Sequence, residues 1–265
     1  NAPGPNQPNL GRYSDHGTHT MGTMVGATAD GEELVGVAPG ARWIALKVFD
    51  NQGVSQDAWI HDAYQWCLAP TDLDGANPRP DLAPQVIDNS WSCPVSEGCT
   101  DPLVLQTVVE NVRAAGILTA HSAGNSGSVC STIDTPAAIY DASFTVGSTD
   151  STDTIASSSS RGPVTIDGSS RPKPDISAPG VGIRSAVPGT SYGLKSGTSM
   201  AAPHVAGLVA LLVSAHPSLK GQVDEIESVI RLSAVRLTAI QDCTVPGSQV
   251  PNNTYGWGRI DAWAA

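Results

Sequence analysis

The chain has 265 residues, 40% of them hydrophobic, and 14 Lys and Arg against 25 Asp and Glu give it a formal net charge of −11. An acidic surface repels the phosphates of nucleic acids, so no nucleic-acid partner is expected. The longest apolar runs, such as residues 208–213, fall short of the ~20 residues that a membrane-spanning helix needs, so no membrane partner is expected either. The length favours a single domain over residues 1–265.

In the first half of the chain, strand-like runs alternate with helical spacings. Residues 43–49 are predicted to form a strand and residues 70–84 a proline-rich loop. Residues 86–90 and 117–120 are further predicted strands, and Gly116 is placed where a helix would end. Two helices are predicted from apolar residues at i, i+3, i+4 and i+7, one on Ile60, Ala63, Tyr64 and Cys67, the other on Leu105, Val108, Val109 and Val112.

The second half continues the alternation. Residues 144–146 form a predicted strand, and residues 150–193, rich in Ser, Gly and Pro, are predicted to form loops and short strands. A third helix is predicted on Val205, Leu208, Val209 and Leu212. Together the elements predict an α/β fold, with a mainly parallel β-sheet flanked by helices on both faces.

Five cysteines favour a secreted, extracellular protein, since disulfides persist in oxidising compartments. Cys93 and Cys99 enclose a short loop that a disulfide could close. Cys67, Cys130 and Cys243 leave one more possible bridge and one odd thiol, with the pairing open. Their spacing matches no zinc ribbon.

Three motifs contain candidate catalytic residues. Ser199 lies in residues 197–207, where a glycine precedes an apolar helix, and His16 begins the segment His16-Gly17-Thr18-His19. Asn125 follows the predicted strand at residues 117–120. Taken singly, these residues would be a helix-capping serine, a histidine at a helix start and a turn asparagine.

Their chemistry is complementary. A serine hydroxyl needs a base to become a nucleophile, and a helix N-terminus places unpaired N–H groups beside it. Imidazole titrates near neutral pH and can supply that base, here His16. A metal site on His16 and His19 is disfavoured, because no third ligand follows at the expected spacing.

Together the motifs resemble the subtilisin-like serine peptidases (subtilases), in their bacillopeptidase-like branch. Residues 173–180 and 255–262 are similar to two further segments of that family, so the resemblance runs from about Asp15 to the C-terminus. It implies a serine endopeptidase that acts through an acyl-enzyme. Ser199 would attack, His16 would transfer the proton, and Asn125 with the Ser199 N–H would bind the oxyanion.

The resemblance also implies how peptide or protein substrates bind. The walls of the first specificity pocket would be Ser90, Trp91 and Ser92 on one side and Ser122, Ala123 and Gly124 on the other. Neither wall carries a charge, so an apolar or aromatic side chain is expected before the scissile bond. Trp91 departs from the glycine-rich continuation that is commoner in the family, which leaves the shape of the pocket open.

The family implies no cofactor for the chemistry, but a structural calcium ion is possible. No calcium site is identifiable in the sequence. Asp72 and Asp74 before Gly75 resemble part of a calcium loop. Because the distal glutamate of such a loop is missing, they are predicted to form a solvated turn.

The triad aspartate of the family should precede the histidine by about thirty residues. Asp15 is the only Asp or Glu that precedes His16 in the sequence. Because adjacent side chains point in different directions, Asp15 is badly placed to orient the imidazole. The chain is therefore expected to be the larger C-terminal part of a cleaved peptidase that retains a small N-terminal fragment with the aspartate. A truncated inactive domain and a catalytically silent protein-binding relative stay open.

Overall fold

The computed structural model describes residues 15–50, 52–189 and 191–265. The helices are α1 (His16–Val25), α2 (Asp57–Leu68), α3 (Gln106–Ala114), α4 (Thr198–Ala215) and α5 (Val223–Ser233). The strands are β1 (Val86–Asn89), β2 (Leu118–Ser122), β3 (Phe144–Thr149), β4 (Ile176–Pro179), β5 (Ile183–Val187) and β6 (Ser191–Lys195). Short 3₁₀ turns lie at Pro80–Leu82, Val95–Glu97 and Pro217–Leu219.

Strands β1 to β4 form a parallel sheet in sequence order. One face of the sheet, including Leu118, Phe144 and Val146, packs against α4 and α5, and the other face is covered by α2 and α3. The predicted α/β fold with helices on both faces is confirmed. Because parallel strands end at the same edge, the loops after β1 and β2 lie side by side.

The helix predictions are confirmed. α2 buries Ile60, Tyr64 and Cys67, and α3 buries three valines on one face. Gly116 follows the end of α3 with φ +83°, in the left-handed region that favours glycine.

The predicted strand at residues 43–49 is wrong. Residues 41–48 form no strand, and the side chains of Trp43 and Ile44 are 55% and 50% exposed. A strand needs a hydrogen-bonded neighbour, and no described residue forms a β-bridge with residues 41–48.

A two-stranded antiparallel ribbon, β5 and β6, holds α1 in place. His19 is buried, and its Nε2 lies 3.0 Å from the Ile183 carbonyl and 3.2 Å from the Gly193 carbonyl. Ser185 Oγ donates a hydrogen bond of 2.7 Å to the His19 carbonyl. The His19 side chain therefore joins α1 to the ribbon and has a structural role.

Two disulfides close loops of different length. The short bridge, Cys93–Cys99, is the predicted one, and the long bridge joins Cys130 to Cys243 across 113 residues of sequence. Cys67 is the buried free thiol. Burial raises the pKa of this thiol to about 11, so it stays protonated and unreactive near neutral pH.

Among the described helices, only α4 is long and apolar enough to cross a membrane. Most of α4 is buried against the sheet and α1. Its apolar composition is accounted for by its place in the protein core.

Candidate active site

The nucleophile candidate lies at the start of α4. Gly197 precedes the helix with φ +146°, a conformation that side-chain-bearing residues rarely adopt. Thr198 begins the helix, and half-buried Ser199 follows in its first turn. The backbone N–H groups of a first helical turn lack intrahelical partners, so the hydroxyl lies beside potential oxyanion donors.

Asn125 is attached directly to this first turn. Its Oδ1 accepts hydrogen bonds from the Thr198 N–H at 2.9 Å and from Thr198 Oγ1 at 3.2 Å. A Cβ added to Gly197 would lie 3.3 Å from the same Oδ1, which shows how closely the amide approaches the backbone. Since the oxygen is engaged with Thr198, the amide N–H₂ is the group of this side chain that remains as a candidate oxyanion donor.

His16 is the first residue of α1 and is half-buried. α1 packs closely against α4. A Cβ atom added to Gly207 of α4 would lie only 3.4 Å from the carbonyl oxygen of Met24 in α1. The pKa of His16 is lowered, first by burial and then by the positive charge of Lys195 and by His19. A lowered pKa keeps the imidazole neutral near pH 7, the form that can accept a proton.

Asp15 is engaged away from His16. Its Oδ2 lies 2.9 Å from Lys195 Nζ on β6, and no hydrogen bond joins the described Asp15 carboxylate to His16. Instead of orienting His16, the Asp15 carboxylate compensates the positive charge of Lys195, which lies near the imidazole.

The two predicted walls of the pocket lie side by side at the carboxyl ends of β1 and β2. Ser122 Oγ donates a hydrogen bond of 3.0 Å to the Trp91 carbonyl, which joins the two walls directly. Gly124 lies beyond buried Ala123 and has φ +98°, and its carbonyl accepts the Ser160 N–H at 3.0 Å. Ser92 follows Trp91 at the same edge of the sheet and is half-buried.

The Trp91 side chain is anchored rather than free. Its Nε1 donates to Asn89 Oδ1 at 3.3 Å, and its ring meets His121 edge-on with centroids 6.0 Å apart. Tyr64 from α2 donates to the same Asn89 oxygen at 2.9 Å. Burial lowers the pKa of His121 to about 3, so this cluster contains a neutral imidazole.

Ser90 links the predicted pocket directly to the candidate nucleophile. Its Oγ lies 2.9 Å from the Ser199 carbonyl oxygen and also 2.9 Å from both carboxylate oxygens of Asp88. Asp88 was missed in the sequence, where the only signal was a carboxylate two residues before a pocket serine.

Asp72 and Asp74, which resemble part of a calcium loop, lie in an exposed turn, as predicted. The carboxylate of Asp72 accepts the N–H groups of Asp74 and Ala76 and the side chain of Asn77, so its own turn satisfies it. Within the described ranges, no group of three or more His, Cys, Asp or Glu could hold a metal ion. No step of the chemistry below is assigned to a metal.

Comparison with known proteins identifies the family of this chain. Residues 1–258 match the peptidase S8 family, the subtilase family. The chain is 45% identical to bacillopeptidase F of Bacillus subtilis over 96% of its length, and 38% identical to subtilisin E of the same species over 81%. It is 34% identical to the serine protease AprX, also of Bacillus subtilis, over 94%.

The chain spans only part of these relatives, namely 17% of bacillopeptidase F, 50% of subtilisin E and 58% of AprX. The family match nevertheless covers almost every residue of the chain, including His16, Asn125 and Ser199. The chain belongs to the subtilase family.

Proposed function

We propose that this chain carries the nucleophile, the base and the oxyanion-binding groups of a serine endopeptidase. The observation that supports this most strongly is the fixed first turn of α4. Asn125 holds that turn from one side through Thr198, and Ser90 holds it from the other through the Ser199 carbonyl. A nucleophile held on both sides is preorganised for attack on a bound peptide.

In the proposed reaction, Ser199 Oγ attacks the scissile carbonyl and His16 accepts the hydroxyl proton. The oxyanion is stabilised by the Asn125 amide N–H and the Ser199 backbone N–H. The tetrahedral intermediate collapses when His16 delivers its proton to the leaving amine, which leaves an acyl-enzyme. A water molecule then attacks the ester, His16 accepts its proton and returns it to Ser199, and the free acid is released.

An active-site burst tests this proposal. Mixed with excess p-nitrophenyl ester, the isolated protein should release about one equivalent of nitrophenol rapidly and then turn over slowly. Ser199→Ala and His16→Ala should abolish the burst. Ser214→Ala, at an exposed position on the same helix, and His216→Ala, at the exposed end of that helix, are matched controls that should retain it. A burst that survives Ser199→Ala would refute the assignment.

The partner that orients His16 is proposed to be an aspartate on a retained N-terminal fragment. Two features of the described residues support such a partner. β1 pairs on one side only, and the exposed apolar segment at residues 41–48 borders a groove of about 510 Å³ that also involves Trp59 and Trp66. An added strand would satisfy the β1 edge and cover these apolar side chains.

Mass spectrometry separates the possibilities for this partner. Under native conditions the isolated protein should show a complex heavier than the chain, and denaturation should release a second peptide that contains aspartate. A single species with the mass of the chain alone, in a preparation that still shows the burst, would refute the retained fragment but not the peptidase assignment.

The substrate is proposed to carry an apolar or aromatic side chain before the scissile bond, because the pocket walls contain no charged side chain. A peptide library with all residues at that position measures this, and a strict preference for Arg, Lys or Glu would contradict it.

An extracellular location is also proposed, supported by the two disulfides. Fractionation of the producing cells tests it. Recovery of the protein in the cytosol with reduced cysteines would contradict it.

A further inference from the structure

The carbonyl of Ser199 lacks the partner that an α-helix normally provides. That partner would be the N–H of the residue four positions later, which is Pro203, and proline has no N–H. A carbonyl in a protein interior needs a donor from elsewhere. The Ser90 hydroxyl lies at the required distance, 2.9 Å from the Ser199 oxygen.

Three acceptor oxygens compete for the one proton of the Ser90 hydroxyl. The two carboxylate oxygens of Asp88 lie at the same 2.9 Å, so three oxygen atoms surround one hydroxyl proton. When Asp88 is ionised, the hydroxyl donates to the carboxylate, because a charged acceptor binds more strongly. The Ser199 carbonyl then faces a lone pair of Ser90 with no proton between them.

A neutral Asp88 supplies the second proton that these acceptors need. Its carboxyl O–H can donate to Ser90 Oγ, and the Ser90 hydroxyl can then donate to the Ser199 carbonyl. We propose that Asp88 is a positioning residue of this active site, whose neutral form allows Ser90 to hold the backbone of the nucleophile and whose ionisation releases it. The consequence for turnover rests on the proposed peptidase function.

The surroundings of Asp88 favour the neutral form. Burial raises the pKa of Asp88 to about 7, against the opposing effect of the hydrogen bond from Ser90. Three titratable groups on the elements packed against β1 are held in their neutral forms near pH 7. His121 on β2 and His204 on α4 both have lowered pKa values, and Tyr64 on α2 has a raised one.

The sequence offers a selective probe of the Ser199 carbonyl. Ser199–Met200 is the only Ser–Met pair in the chain, since the other two methionines, Met21 and Met24, follow threonine. Protein labelled with ¹³C-carbonyl serine and ¹⁵N-methionine therefore gives one carbonyl–amide correlation, which reports the hydrogen bond to Ser199. The experiment uses the protein as isolated and needs no catalysis.

In the unmodified protein, the Ser199 carbonyl resonance should move with a midpoint at the pKa of Asp88, about 7, as the hydrogen bond is lost on raising the pH. In Asp88→Asn, whose amide N–H replaces the carboxyl proton, it should stay at the hydrogen-bonded value. In Ser90→Ala it should stay at the unbonded value. A flat resonance in the unmodified protein, or the same titration in Asp88→Asn, would overturn the proposal.

Kinetics give a second readout. Above pH 7 the kcat of the unmodified protein should be about threefold to tenfold below that of Asp88→Asn, the effect of losing one neutral hydrogen bond. KM should change little. Equal kcat values for the two proteins above pH 7 would contradict the proposal. If no variant turned over substrate, the peptidase assignment would fail, while the resonance titration would still decide the role of Asp88.

Discussion

Replacing Asn125 should separate catalysis from stability. In Asn125→Asp the side chain keeps the oxygen that accepts the Thr198 N–H, but the amide donor is replaced by a negatively charged oxygen. Loss of one oxyanion donor costs about 2.7–4 kcal/mol of transition-state stabilisation, or about 10²–10³ in kcat. Asn125→Asp should therefore lose at least that factor while it unfolds at the temperature of the unmodified protein.

Asn125→Ala removes both functions. The Thr198 N–H loses its acceptor, whereas Thr198 Oγ1 retains the Gly124 carbonyl at 3.2 Å. One unsatisfied buried donor costs about 1–3 kcal/mol. In a domain of this size, that lowers the melting temperature by about 2–5 °C.

The assay combines kcat on a peptide substrate with thermal unfolding followed by circular dichroism. Both Asn125 variants should lose kcat, and only the alanine variant should lose stability. A kcat of Asn125→Asp within tenfold of the unmodified protein would contradict the oxyanion role of Asn125. An inactive alanine variant that melts no earlier than the aspartate variant would contradict its role in holding Thr198.

Three further predictions concern stability. Replacing both cysteines of the long bridge by alanine should lower the free energy of unfolding by about 5 kcal/mol, against about 2 kcal/mol for the short bridge. The reason is the length of the closed loops, whose cysteines are 113 and 6 positions apart. Equal losses in urea titrations would contradict this. Neutral His121, with a pKa of about 3, must gain a proton when the protein unfolds below pH 6.5, so His121→Gln should remove a loss of about 1.4 kcal/mol per pH unit on acidification from pH 6 to pH 4. Asp88, with a pKa of about 7, must release its proton on unfolding above about pH 4, so the free energy of unfolding should fall by a similar amount per pH unit as the pH rises towards 7. Asp88→Asn should remove this fall. A urea midpoint whose pH dependence is unchanged in either variant would contradict the assignment for that residue.

Local patterns predicted the elements whose stabilising contacts are local. The apolar spacing identified α2, α3 and α4, and the short bridge closes a loop of a few residues. The strand prediction at residues 43–49 was wrong because strand formation depends on a neighbouring edge, which the sequence of the segment does not contain.

Contacts between distant residues could not be predicted. The hydrogen bond between Ser90 and the Ser199 carbonyl joins residues 109 positions apart, and the role of Asp88 depends on that bond. Pro203 was visible in the sequence as a residue without an N–H, but the donor that replaces it was not. The sequence therefore pointed to the candidate catalytic side chains, and the structure added the groups that contact the backbone of Ser199.

The most direct test of the peptidase assignment is labelling with a fluorophosphonate, followed by mass analysis of the modified peptide. We expect rapid modification of Ser199 alone, abolished in His16→Ala and retained in His216→Ala. Labelling of another serine, or no labelling of Ser199 in the protein as isolated, would contradict the assignment of Ser199 and His16 as nucleophile and base.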